Sequence, residues 1–162
     1  MPSTYEKIAT TTLGSATASY TFSSISGSYT DLVLVLVGSN SNGAYLIQVG
    51  NGSVDTGTNY SRTFMYGDGS VAGSNKSTSA SSIVATSGTL SLQPSIMNFM
   101  NYSNTTTYKT LLTRGNDSAY STAAIVGLWR STSAINTIKI AGFGGVNLDT
   151  GSTFTLYGIK AA

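Results

Sequence analysis

Thr30-Asp31-Leu32-Val33-Leu34-Val35-Leu36-Val37 is the stretch that decides the fold. Leucine and valine occupy successive positions, so both faces of a strand here are apolar. That is the expectation for a central strand covered on both sides. Gly27-Ser28 turns the chain into it, and the polar run Ser39 to Gly43 turns the chain out again. Upstream, Ala18 to Ser24 alternates Tyr20 and Phe22 against Thr21 and Ser23, which predicts a strand with one buried face. Downstream, Ala44 to Val49 places Tyr45, Ile47 and Val49 on one face.

The same grammar runs through the whole chain. Strands are predicted near Tyr5 to Leu13, Asn59 to Tyr66, Ser95 to Tyr102, Tyr108 to Arg114, Thr122 to Arg130, Ala134 to Ala141 and Ser152 to Lys160. In the last of these, Phe154, Leu156 and Gly158 share a face. Asn51 to Thr58, Gly67 to Gly69, Gly115 to Asp117 and Gly142 to Gly151 read as turns and loops. Ser70 to Ser82 reads as a Ser/Gly/Lys loop, and Ile83 to Leu92 is ambiguous. No stretch keeps a helical period. Roughly ten short strands at this spacing predict an all-β, antiparallel β-sandwich of jelly-roll-like form. With no linker and no repeat, residues 1–162 form a single domain with a short N-terminal arm.

Composition narrows the function. Charged residues make up 9% of the chain, against eight Lys and Arg and six Asp and Glu. A net charge of +2 implies neither a nucleic-acid groove nor a membrane-surface patch. Ser and Thr fill roughly a third of the chain, far above ordinary usage. Hydroxyls and glycine must do the solvating, which suits a protein packed against neighbours in an assembly. A hydrophobic content of 40% argues against disorder. There is no Cys and no His. Disulfides, thiolate chemistry, zinc-cysteine sites and the usual general base are therefore absent, and no cofactor is expected. Met1 to Thr12 carries Glu6 and Lys7 and no apolar core, so no signal peptide is read there and synthesis in a cytoplasm is expected. The Asn-X-Ser/Thr triplets at Asn51, Asn59, Asn75, Asn101, Asn104 and Asn116 then follow from Ser/Thr richness alone.

Several motifs invite a catalytic reading. Asp55-Thr56-Gly57 and Asp149-Thr150-Gly151 match the triplets that aspartic proteases use to share a proton between two carboxylates. A two-lobed enzyme needs about twice this length, one domain-sized lobe per triplet. In a dimer of single lobes one triplet would serve, with Ile125-Val126-Gly127 as its support, but Gly52-Ser53 precedes Asp55 where an apolar strand is needed. Both triplets are read as turns. A Ser/His pair is impossible, and no Ser/Lys elbow or paired glycosidase carboxylates stand out. Asp55, Asp68 and Asp117 are turn-formers rather than a calcium series. Gly142-Phe143-Gly144-Gly145 lacks the Lys-Ser/Thr of a phosphate loop. Trp129-Arg130 is a candidate binding hot spot, and the favoured competing reading puts Trp129 in the core with Arg130 facing out.

Ile25-Ser26-Gly27-Ser28-Tyr29-Thr30-Asp31-Leu32-Val33-Leu34-Val35 resembles the opening of small virion-associated proteins of tailed bacteriophages. Asp55 to Ser61, Leu128 to Thr132 and Gly151 to Ile159 fit the same resemblance, which spans nearly the whole chain. It implies a non-enzymatic virion structural module, and it carries over no functional residues. A stand-alone module without repeat or coiled coil fits a capsid decoration (cement) protein, partnered by the major capsid protein and by itself as a homotrimer. The alternative is a tail, fibre or neck component that binds a host surface or glycan. The candidate contact residues are Tyr60, Tyr66, Tyr120, Trp129 and Arg130.

Overall fold

A computed structural model describes residues 4–85, 93–117 and 121–160. Among the described residues thirteen strands run in chain order: β1 (Tyr5–Thr12), β2 (Ser19–Phe22), β3 (Asp31–Gly38), β4 (Tyr45–Asn51), β5 (Ser53–Val54), β6 (Tyr60–Gly67), β7 (Ala72–Ala80), β8 (Ile83–Val84), β9 (Gln93–Met100), β10 (Lys109–Asp117), β11 (Ser121–Trp129), β12 (Thr137–Gly142) and β13 (Thr153–Ile159). One turn of 3-10 helix, Phe143–Gly145, follows β12. Among the described residues no helix is long and apolar enough to cross a membrane.

The strands form two antiparallel sheets. The larger runs β1-β13-β3-β9-β10-β11-β6-β7, and the smaller runs β2-β12-β4-β5, with β8 also paired to β4. Eight of these strands make a jelly roll, in which β1-β13-β3-β9 faces β2-β12-β4-β8. Two hairpins are grafted onto it. The β6–β7 pair leaves the chain between β5 and β8, and the β10–β11 pair between β9 and β12. Together they extend the large sheet past β9 by four strands.

Alternation explains the core. Leu32, Leu34 and Leu36 of β3, Phe154 and Leu156 of β13, and Met97 and Phe99 of β9 point inward. They meet Phe22, Tyr45, Ile47, Val49, Ile138 and Ile140 of the small sheet in one continuous cluster. Each such fully buried side chain contributes about 1.5–3 kcal/mol relative to exposure. The short strand β8 ties the grafted hairpins to this core. Gly127 of β11 has no side chain, and a Cβ there would lie 2.5 Å from Ile83 Cδ1. Glycine at 127 is what lets Ile83 settle onto β11.

Three expectations need correction. The Ser70 to Ser82 stretch is mostly strand β7, paired along β6 from Gly67↔Ala72 to Tyr60↔Ala80. It lacks apolar alternation because it is the edge of the sheet, held by backbone bonds to one neighbour. Gly115-Asn116-Asp117 is strand rather than turn, with Asp117 opposite Ser121. The third concerns β3. Its inner face is buried, but its outer face is not covered along its whole length. Val33 is 4% exposed and Val37 is 39% exposed. Of the ambiguous stretch Ile83 to Leu92, Ile83–Val84 is β8 and residues 86–92 lie outside the described residues.

Candidate binding face

Both Asp-Thr-Gly carboxylates are taken up by hydrogen bonds within the fold. Asp55 follows β5, and its Oδ2 accepts from Trp129 Nε1 at 2.8 Å and Asn59 Nδ2 at 2.9 Å. Its Oδ1 accepts from Gly57 N at 2.9 Å. Partial burial pushes this carboxyl up, and the bonds from Trp129, Asn59 and Gly57 more than reverse that, leaving it below the usual carboxylate range. A carboxylate held ionised and fully engaged is a latch, not a proton-sharing acid. Asp149 is engaged elsewhere, accepting from Ser39 Oγ at 2.8 Å. Each Asp-Thr-Gly triplet is a turn, closed by Gly57 N on Asp55 Oδ1 or by Ser152 N on Asp149 O, with its carboxylate tied to a distant segment. Among the described residues no three His, Cys, Asp or Glu side chains gather as metal ligands.

The sequence-derived contact residues do not converge on one surface. Tyr60 is fully buried. Its hydroxyl donates to Asp55 O at 2.8 Å and accepts from Val49 N at 3.0 Å. Trp129 lies opposite Tyr60 in the ladder and is 3% exposed, so both belong to the core. That is a correction for Tyr60 as a contact residue, while for Trp129 it is the favoured core reading over the hot-spot one. They fall on the inward side of β6 and β11, and their polar atoms close internal hydrogen bonds. Arg130 is half-buried and donates from Nη1 to Thr78 O at 2.9 Å and from Nη2 to Thr58 O, tying β7 to the β5–β6 loop. Tyr66 is half-buried, stacked on Phe64 at 5.4 Å and lying against Gly73. Tyr120 lies outside the described residues.

What the fold presents instead is the outer face of the large sheet. Two registered rows cross its middle. One runs Val35, Ile96, Arg114, Ala124, Met65, and the next runs Val33, Asn98, Leu112, Val126, Thr63. Met65 is 49% exposed, Met100 45%, Val126 42%, and Ile96 and Leu112 36% each. A groove of about 480 Å³ runs over this strip, lined by Asp31, Asn98, Met100, Leu112, Arg114 and Val126 among others. The margins are polar. Thr10 and Thr12 of β1 hydrogen-bond Thr155 and Thr153 of β13 at 2.7 and 3.0 Å on one side. The Ser/Thr/Asn/Lys strand β7 borders the other. An apolar centre inside a polar rim is the anatomy of a protein interface.

Composition-based reading of single residues missed this face, because its members are ordinary apolar residues. The signal available was the lack of alternation in β3 and in Leu111-Leu112 and Ala123 to Leu128. No protein-family model matches the chain, and no curated protein matches it either.

Proposed function

We propose that the chain is a non-enzymatic structural protein of a tailed-phage virion, acting as a capsid decoration (cement) protein on the assembled head. One observation supports this most: among the described residues the sandwich carries one broad, apolar, polar-rimmed sheet face. Such a face is suited to burial against neighbouring subunits. Bridging more than one neighbour stabilises a shell by mass action and avidity, with no chemistry required of the bridge. The low charge of the chain fits the same role, since a decorating protein spends its working life packed in an assembly. The resemblance in Ile25 to Val35 supplies the virion context. The burial of Tyr60 and Trp129 weighs against stacking of a sugar on those rings, and so against the glycan-binding alternative in that form.

Quantitative mass spectrometry of purified particles tests the proposal. The expected result is hundreds of copies per particle, at one copy or a simple fraction of one per major shell protein. A few to a few dozen copies would move the protein to the tail or neck. Absence from particles would refute a virion role.

A further inference from the structure

We infer that the outer face of the large sheet pairs with the same face of a second copy of this chain, about a two-fold axis passing over Asn98. Three observations on that face point to a second copy as its occupant.

The first is size. Eight strands at about 4.8 Å spacing and about eight residues at about 3.3 Å make a face on the order of 800 Å² in plan, of which the two-fold described below overlays roughly 60%, at the low end of specific interfaces. The second is layout. The apolar strip is central and both margins are hydroxyl-rich, as an interface that excludes water at its middle requires.

The third is charge. The groove carries one anion, Asp31, and one cation, Arg114. Leu32 lies opposite Phe99, so Asp31 falls in the row of Met100. Arg114 lies opposite Ile96, two strands away from β3. The two charges are therefore about 16 Å apart on the lattice of strand spacings and cannot pair within one chain. Asn98 sits between Ile96 and Met100 on the strand between them, at the midpoint of that diagonal. A two-fold axis lying between two such faces, perpendicular to the diagonal and over Asn98, sets each Arg114 against the other copy's Asp31. It also sets Asn98 against Asn98 and Leu112 against Met100. Within the groove the opposite charges lie symmetrically about Asn98, as an isologous contact demands, and Lys7 and Lys76 stand at the two ends of the Asn98 row, at the rim. The result is a pair, where the resemblance to virion proteins implies a trimer. It does not depend on the virion reading, but it occupies the face on which that reading rests, so a decorating pair meets the shell through surfaces outside the large sheet.

Sedimentation equilibrium of the full chain at micromolar concentration tests the inference, with far-UV circular dichroism to confirm folding of each variant. The wild type is expected to be a dimer. Arg114→Glu sets a carboxylate against the other copy's Asp31 in each half of the contact and should weaken pairing about 100-fold. Adding Asp31→Asn removes that repulsion and should restore most of the affinity. Asn keeps an oxygen for the Asn101 N–H that Asp31 Oδ1 now accepts at 2.6 Å. A wild type that is monomeric or trimeric, a dimer indifferent to Arg114→Glu, or a folded double variant that fails to recover would each overturn the inference. Copy number on particles reads none of these quantities, so a failure here leaves the decoration proposal separately testable.

Discussion

Asp55→Ala is expected to destabilise the domain by about 2–4 kcal/mol, and the figure can be built from its partners. Trp129 is 3% exposed, so removing the acceptor of its indole N–H at 2.8 Å strands a buried donor, a loss of about 1–3 kcal/mol. Asn59 and Gly57 are exposed, and water takes over most of what they lose, leaving about 0.5 kcal/mol each. For a domain of this length the sum lowers the melting temperature by about 4–16 °C. Trp129 is the single tryptophan, so its fluorescence reports the transition directly. The pH dependence supplies a second test. The folded-state carboxyl is held lower than the unfolded one by the hydrogen bonds from Trp129, Asn59 and Gly57, which outweigh the opposing effect of burial. Its stabilisation is therefore complete above the unfolded value of about 3.9 and lost as pH falls through the lower folded value. The gap between wild type and Asp55→Ala should thus be constant near neutrality and close in acid. A gap under about 0.5 kcal/mol at pH 7, or one that persists unchanged in acid, would refute the latch.

Other perturbations follow from the same contacts. Gly127→Val drives a branched side chain into Ile83 and should cost about 1–3 kcal/mol by urea denaturation, with Ile83→Ala in the same chain recovering part of it. Tyr102→Phe removes a hydroxyl that donates to Ser26 O and accepts from Tyr29 N at 3.4 Å. It should cost about 1–2 kcal/mol and speed hydrogen exchange at the Tyr29 amide. Leu112→Lys lies on the open face, so at concentrations where the chain is monomeric it should shift stability by less than about 0.5 kcal/mol.

The sequence was most legible where a strand has one wet face and one dry face. Ser152 to Lys160 shows this: Phe154, Leu156 and Gly158 are buried together, and the predicted ends differ from β13 by one residue at each end. Tyr5 to Leu13 and Asn59 to Tyr66 likewise became β1 and β6 within one residue at each end. Legibility failed where the physical cause lies outside the segment. β7 is a strand because β6 offers it an unpaired edge, and nothing in Ala72 to Ala80 encodes that by hydropathy. Tyr60 reads as an available aromatic, but the loop containing Asp55 folds back over its hydroxyl. The β3 run Leu32 to Val37 correctly announces two apolar faces; which face the fold leaves open depends on the small sheet covering only one of them.

That open face is not a by-product of strand propensity, and the small sheet supplies the comparison. Across the middle of its outer face run Thr21, Lys139 and Gln48, in register on β2, β12 and β4. The corresponding rows of the large sheet hold Val35, Ile96, Ala124 and Met65, then Leu112 and Val126. Both faces are built from strands of the same chain, with the same shortage of charge. Propensity alone would favour Val, Ile, Thr and aromatic residues on both, yet Met65, Met100 and Leu112 are not strong strand formers. Flexible, polarisable methionines are over-used where a surface must fit another protein. Leaving such residues exposed in a chain with 9% charge invites association, while the hydroxyl-rich rims and the polar opposite face restrict where it can occur. The asymmetry between the two faces makes the large sheet the face suited to assembly, and in the pairing inferred above the Asp31–Arg114 diagonal sets its orientation.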